Sequence, residues 1–191
     1  MPVKVLAFSG SLRKDSYNTK ICRIACEGAK AAGADVTFVE LRDLAMPLFD
    51  EDLEKAGGTP DSARKFKQLL IAAQGIIIAC PEYNSSITGA LKNAIDWASR
   101  PAPGEPPLVA FKGKVAGLCA ASPGALGGLR GLVTVRSILG NLGVILLPQQ
   151  VAIMKVGDAL DENHRLKDPK QQQSLLDLGA AVTATAGKLN A

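Results

Sequence analysis

The run Gly75-Ile76-Ile77-Ile78-Ala79 has no polar face. Whatever it forms must be covered on both sides, as in a strand of a parallel sheet with helices packed above and below. Val3–Phe8 and Val115–Ala121 have the same character. Helix-like stretches separate these runs. Over Tyr17–Ala32, the residues Ile21, Ile24, Ala25 and Ala29 share one face, and Gly33 supplies a stop. Asp35–Leu41 alternates as a strand through Val36, Phe38 and Val39. Pro60–Ala73 predicts a helix with proline in its first turn. A further helix ends near Arg100, another covers Leu129–Leu142, and Gln171–Leu189 closes the chain. Val144–Leu147 reads as the fifth strand. The stretch from Leu44 to Asp52 reads as irregular because of Pro47, with Asp50-Glu51-Asp52 as a solvated loop. Four prolines between residues 101 and 107 exclude regular structure there.

Alternating strands and helices predict an α/β fold with a parallel sheet between two helical layers. Five strands of this length suit a flavodoxin-like three-layer sandwich, a five-stranded parallel sheet of order 2-1-3-4-5, in a single domain over residues 1–191. In that order the first and third strands are neighbours, and their following helices leave to opposite faces. A crevice then opens at their carboxyl ends. The loops at 9–18 and 81–88 would meet there, with the loop at 122–128 beside them.

The rest of the chain narrows the chemistry by exclusion. Its one histidine, His164, lies in the polar stretch Asp161-Glu162-Asn163-His164-Arg165, which removes multi-histidine metal sites and reads as a solvated loop. The four cysteines, 22, 26, 80 and 119, form no CxxC pair and no Cys-x5-Arg phosphatase loop, and read as buried, inert thiols. The net charge of +4 is carried by scattered Lys and Arg, which suits small anionic ligands rather than nucleic acid. No apolar run approaches the roughly 18 residues of a membrane span, and the first residues run directly into strand-like sequence, so a cytoplasmic protein is expected.

The chemistry concentrates in two loops. Ser9-Gly10-Ser11-Leu12-Arg13-Lys14-Asp15-Ser16-Tyr17-Asn18 is dense in hydroxyl and amide groups and opens a helix. Free N–H groups and the helix dipole make that position an anion site. Ser11, Ser16 and Asn18 can donate to phosphate oxygens and Arg13 can pair with them; the alternative is an ordinary serine-capped helix start. The loop is neither GxxxxGK[ST] nor GxGxxG, and a hydroxyl-rich loop in a 2-1-3-4-5 sheet points instead to flavin mononucleotide (FMN). Cys80-Pro81-Glu82-Tyr83-Asn84-Ser85-Ser86 follows the apolar strand and offers a flat ring, amides and no nucleophile. Tyr83 can lie against a flavin, Pro81 stiffens the turn, and Asn84 can address ring heteroatoms. Glu82 reads as a salt-bridge or turn residue in preference to an acid or base.

Gly10-Ser11-Leu12-Arg13 with Ser16 and Asn18, Pro81-Glu82-Tyr83-Asn84, Gly89–Trp97, and Ser122-Pro123-Gly124 with Gly127-Gly128 together resemble the NAD(P)H-dependent FMN reductase family, over the first strand to about residue 153. The resemblance implies bound FMN and NADPH or NADH as electron donor. It implies quinones, chromate or azo compounds as small-molecule acceptors, with no nucleic-acid or membrane partner. It assigns the phosphate to Ser11, Arg13, Ser16 and Asn18, the ring to Pro81, Glu82, Tyr83 and Asn84, and a wall of the site to Ser122 and Gly124. No residue is assigned to catalysis, since the cofactor carries the chemistry. Two other readings stand beside it: a flavin reductase using FMN as a dissociable substrate, and a flavin-binding electron-transfer or regulatory module without turnover. Family members often have a small residue where this chain has Asp15, which must point away from a phosphate, for instance by capping the helix. Arg42, Arg100 and Arg130 are candidates for an adenosine 2′-phosphate pocket. The resemblance further implies a homodimer or homotetramer, and Trp97 is either packed against a neighbouring loop or part of a subunit contact.

Overall fold

The structure, a computed structural model, describes residues 1–190; Ala191, the last residue of the expected domain, lies outside the described residues. The strands are β1 (Lys4–Ser9), β2 (Asp35–Glu40), β3 (Gly75–Ala79), β4 (Glu82–Tyr83), β5 (Ser86–Ile87), β6 (Val115–Ala121) and β7 (Ile145–Ile153). The helices are α1 (Tyr17–Ala31), α2 (Leu41–Leu44), α3 (Glu51–Gly57), α4 (Asp61–Ala72), α5 (Gly89–Ser99), α6 (Leu129–Asn141), α7 (Val156–Ala159) and α8 (Pro169–Leu189). Five strands form one parallel sheet in the order β2-β1-β3-β6-β7, the flavodoxin-like 2-1-3-4-5 order. β4 and β5 pair separately as a small antiparallel hairpin.

Every residue of β3 and β6 is buried. Because successive side chains of a strand point to opposite faces, these strands feed two cores at once. Leu6, Phe8, Ile76, Ile78 and Leu118 pack with Phe66 and Leu70 of α4, Leu91 and Ile95 of α5, and Leu132 and Val135 of α6. Val5, Ala7, Ile77, Val115 and Cys119 pack on the other side with α1 and α8. The helices after β1 and β3 thus lie on opposite faces, and the two chain directions diverge between those strands.

The closing segment does more than cover the sheet. Helix α8 crosses α1 with backbone against backbone: a Cβ on Gly28 would lie 1.9 Å from the Leu176 carbonyl oxygen, and one on Gly179 the same 1.9 Å from that of Ala25. All four cysteines are buried free thiols. Burial pushes the Cys80 thiol well above its ordinary range, reinforced by Cys119.

Two expectations need correction, and the alternative left open at Trp97 is decided. The acidic triplet is not a loop: Asp50 caps α3 by accepting from the Asp52 N–H at 2.8 Å, and Glu51 and Asp52 occupy its first turn, where the helix dipole favours them. β7 runs on to Ile153 through Pro148, with a register shift against β6 between Ala116 and Leu118. Proline is tolerated there because β7 is an edge strand. Trp97 is no subunit contact. It is fully buried in its own chain, donates from Nε1 to the Pro47 carbonyl at 2.8 Å and meets Phe49 edge-on at 5.0 Å.

Candidate functional site

The first loop leaves β1 at the divergence point and enters α1. Ser16 is the N-cap, with extended backbone at φ −85° and ψ 127°, and its Oγ accepts from the Thr19 N–H at 3.4 Å. The N–H groups of Tyr17 and Asn18 belong to the first helical turn and have no intrahelical partner. They point out of the helix with the positive end of its dipole behind them. The loop is also folded on itself: Ser9 Oγ accepts from the Ser11 N–H at 3.3 Å, and Ser11 Oγ from the Arg13 N–H at 3.1 Å. Both hydroxyls of Ser11 and Ser16 keep a proton to donate. The Arg13 guanidinium has no carboxylate partner among the described residues and lies 5.9 Å from the Tyr17 ring centre.

Asp15 does not compromise this pole. Its carboxylate pairs with the Lys20 ammonium at 2.6 Å, while Ser16 does the capping. That ammonium, hydrogen-bonded to Asp15, holds its carboxyl below the usual range.

The side chains of Ser11, Arg13, Ser16 and Asn18 line one cleft with Tyr17, Pro81, Glu82, Tyr83, Ala121, Ser122 and Pro123. Its volume is ≈ 80 Å³. Loops separated by about seventy and by over one hundred positions therefore converge at the carboxyl ends of β1, β3 and β6, as the strand order requires. Asn84 and Gly124 are not part of the lining. Asn84 occupies the hairpin turn, and the Gly124 carbonyl accepts from the Lys155 N–H at 3.2 Å.

Three side chains fasten the converging segments. Asn18 spends its amide on the end of β6: Nδ2 donates to the Ala121 carbonyl at 2.9 Å, and Oδ1 accepts from the Ala121 N–H at 3.0 Å. Its remaining donors toward the cleft are its main-chain N–H and the second amide hydrogen. Thr88 caps α5 by accepting from the Leu91 N–H at 3.1 Å, and donates to the Gly10 carbonyl at 2.5 Å, joining the first loop, after β1, to the third, after β3. Glu82 reaches the start of α6. Its Oε1 accepts from Arg130 Nε at 2.8 Å, and its Oε2 from the Arg130 N–H at 3.0 Å and the Gly131 N–H at 3.3 Å. Burial works to raise the Glu82 pKa, but the hydrogen bond from Arg130 and those from the α6 amides outweigh it, and the carboxyl is held below its ordinary range.

The hairpin carrying Tyr83 turns through Asn84 at φ 50° and Ser85 at φ 67°. Both values lie in the left-handed region that two-residue hairpin turns need, at a cost of roughly 1–2 kcal/mol for an ordinary residue and less for asparagine. Tyr83 is 54% exposed at the rim, while Pro81 is buried beneath it.

Eight of the ten residues expected from the sequence line the cleft, Asn84 and Gly124 do not, and Thr88, Arg130 and Gly131 were not expected as members of its frame. Thr88 was legible, since a threonine directly before Gly-Ala-Leu is a helix-cap signature. The Glu82–Arg130 link spans 48 positions and has no local signal. Of the three arginines considered for a 2′-phosphate, Arg130 is bound to Glu82 and Arg100 is bidentate to Glu54 at 2.9 and 3.0 Å. Arg42 alone has no ion pair among the described residues, and it lines a separate groove of ≈ 510 Å³ on the other flank of the first loop, beside Leu12, Met46 and Leu48.

The sequence profile of the family described as NADPH-dependent FMN reductase matches residues 3–158. The chain is 40% identical over 173 residues to an NAD(P)H-dependent FMN reductase of Pseudomonas aeruginosa, covering 90% of this chain and 88% of that one. It is 32% identical to a 2-hydroxy-1,4-benzoquinone reductase of a Burkholderia species, covering 95% and 96% of the two chains. Among solved structures, the flavoenzyme NAD(P)H:(acceptor) oxidoreductase FerB of Paracoccus denitrificans superposes with a TM-score of 0.81 at 28% identity, over 97% of this chain and 98% of that one.

Proposed function

This chain belongs to the NADPH-dependent FMN reductase family, and from that premise we propose that the cleft between the first and third loops is its FMN site and that it passes electrons from NAD(P)H to quinone-type acceptors. The chain is an FMN-dependent NAD(P)H oxidoreductase. The observation that carries the site assignment is the Arg13 guanidinium, without a carboxylate partner among the described residues, beside the free first-turn N–H groups of α1 and the Ser11 and Ser16 hydroxyls, all lining one cleft. That donor set fits a phosphomonoester without a metal. The cleft's ≈ 80 Å³ suits the phosphate end of FMN, and the open rim at Tyr83 and Ser122 leaves a flat ring system accessible to a second substrate.

FMN, when bound, supplies hydride acceptance from a nicotinamide and onward electron transfer. The protein's residues supply position and electrostatics. Arg13 and the α1 amides fix the anionic end. Pro81 and Tyr83 shape the rim, with Asn84 and Gly124 assigned to its edge by family resemblance. The rigid frame made by Asn18, Thr88 and Glu82 removes the cost of ordering the loops on binding. A donor stacked on that rim gains rate through proximity.

Quinones are favoured as acceptors by the Burkholderia relative's activity. Assembly as a homodimer or homotetramer belongs to the same reading, supported by Leu12 and Leu48, which are exposed beside the apolar groove. Among the described residues, no helix is long and apolar enough to cross a membrane.

The deciding experiment is flavin titration followed by anaerobic addition of NADPH or NADH. Flavin bound by the wild-type chain, bound more weakly by Arg13→Ala and bleached by a nicotinamide supports the reading. A chain that binds no FMN overturns the site, and bound flavin that no nicotinamide bleaches overturns the reductase.

A further inference from the structure

The hairpin that carries Tyr83 cannot hold itself in place. Its two strands are two residues each, and its turn residues are both in the left-handed region without being glycine. It therefore needs an outside anchor, and the contacts around it are made with the first turn of α6. That turn has no side-chain cap of its own, because its N-cap is Gly128 at φ 90°. The Glu82 carboxylate takes the vacant role. It accepts from the amides of Arg130 and Gly131 and from the Arg130 guanidinium, and its side chain is only 9% exposed. The hairpin is also pressed against α6 at Gly131, where a Cβ would lie 3.3 Å from the Ser86 carbonyl oxygen and 3.5 Å from Glu82 Cβ.

We propose that Glu82 is a positioning residue: its carboxylate clasps the hairpin to the N-terminus of α6 and so holds Tyr83 at the rim of the cofactor cleft. This departs from the family-based assignment of Glu82 to the flavin ring. Glu82 lines the cleft, but both of its carboxylate oxygens are engaged by α6, so the carboxylate acts on the site through the hairpin. The inference rests on the reading of the cleft as an FMN site, but the clasp is testable without it.

The test compares wild type with Glu82→Gln, Arg130→Met and the double variant by FMN fluorescence titration and by hydrogen exchange of the hairpin amides. Arg130 is half exposed, so its replacement leaves the cores untouched. Glu82→Gln is expected to weaken FMN binding by about tenfold and Arg130→Met by less, since the two α6 amides still bond the carboxylate, with the double variant little worse than Glu82→Gln. At saturating FMN, both variants should regain flavin fluorescence, because Tyr83 is no longer held in place. Amides 83–87 should exchange faster in both while those of β1 and β3 keep their protection. Arg130→Lys, which keeps the charge but loses the planar fork, should fall between wild type and Arg130→Met. FMN binding weakened in Glu82→Gln with hairpin exchange unchanged would mean direct contact with the ring and overturn the proposal. If wild type binds no FMN, the cofactor reading fails, and hydrogen exchange still decides: faster hairpin exchange in both variants supports the clasp, and unchanged exchange overturns it.

Discussion

Helix α1 meets a different kind of neighbour at each of its ends. Its first turn faces the cleft, where Ser16, Asn18 and the loop before them are held by single polar bonds at specific atoms. Its second half lies against α8 with no space at all, glycine against carbonyl on both sides. One end needs open room and oriented donors, and the other needs room excluded. The same helix therefore couples a site that can be emptied without unfolding to a crossing that cannot be loosened without losing the fold.

The strongest challenge to that division is Gly28→Ala. The added methyl would meet the Leu176 carbonyl 1.9 Å away, and backbone cannot step aside as a side chain can. A loss of about 3 kcal/mol or more in urea denaturation is expected. FMN binding should fall only as far as the folded fraction does. A variant of full stability would mean that the helices slide apart freely, and the contrast between the two ends would vanish.

Arg13→Ala tests the other end. Removing one charge-assisted partner of a phosphate should weaken FMN by about 1.5–3 kcal/mol, roughly ten- to hundredfold. Unfolding without flavin should hardly change, because the guanidinium has no carboxylate partner among the described residues. A fall in stability comparable with the fall in affinity would show that the loop is part of the fold's foundation after all.

Asn18→Leu lies on the boundary between the two. It would strand the N–H and carbonyl of Ala121 away from their partner, at a buried position. The expected loss is about 2 kcal/mol of stability, accompanied by weaker FMN binding. Urea denaturation and titration together would show whether this pair of bonds serves both ends.

The same contrast explains what could be read from the sequence. The strand order and both cores were legible because apolar runs without a polar face, such as Gly75–Ala79, leave few arrangements. Ser11, Arg13, Ser16 and Asn18 were legible because a helix start advertises itself locally. The division of labour among them was not, since Asn18 bonds to a residue 103 positions away. The crossing at Gly28 and Gly179 was equally hidden. A glycine inside a helix signals close approach only once its neighbour is known. The hairpin was missed because Asn84-Ser85 is a weak turn signal, and its anchor lies on another helix.

The smallest expected effect separates the two ends by acidity. Glu82 is held below its ordinary carboxyl pKa of 4.5 in the folded chain. Between that folded value and 4.5, the unfolded chain binds more protons, so stability rises with pH across the window. The Glu82 contribution is complete above the window, declines as pH falls through the folded value, and is absent below it. The stability difference between wild type and Glu82→Gln should therefore shrink on acidification, as measured by denaturation at a series of pH values. The Gly28→Ala loss should not follow that course, because the carbonyls of Leu176 and Ala25 do not titrate. If the Glu82→Gln difference stayed constant into acid, the carboxylate would not be the clasp, and packing at Gly131 alone would be holding the hairpin to α6.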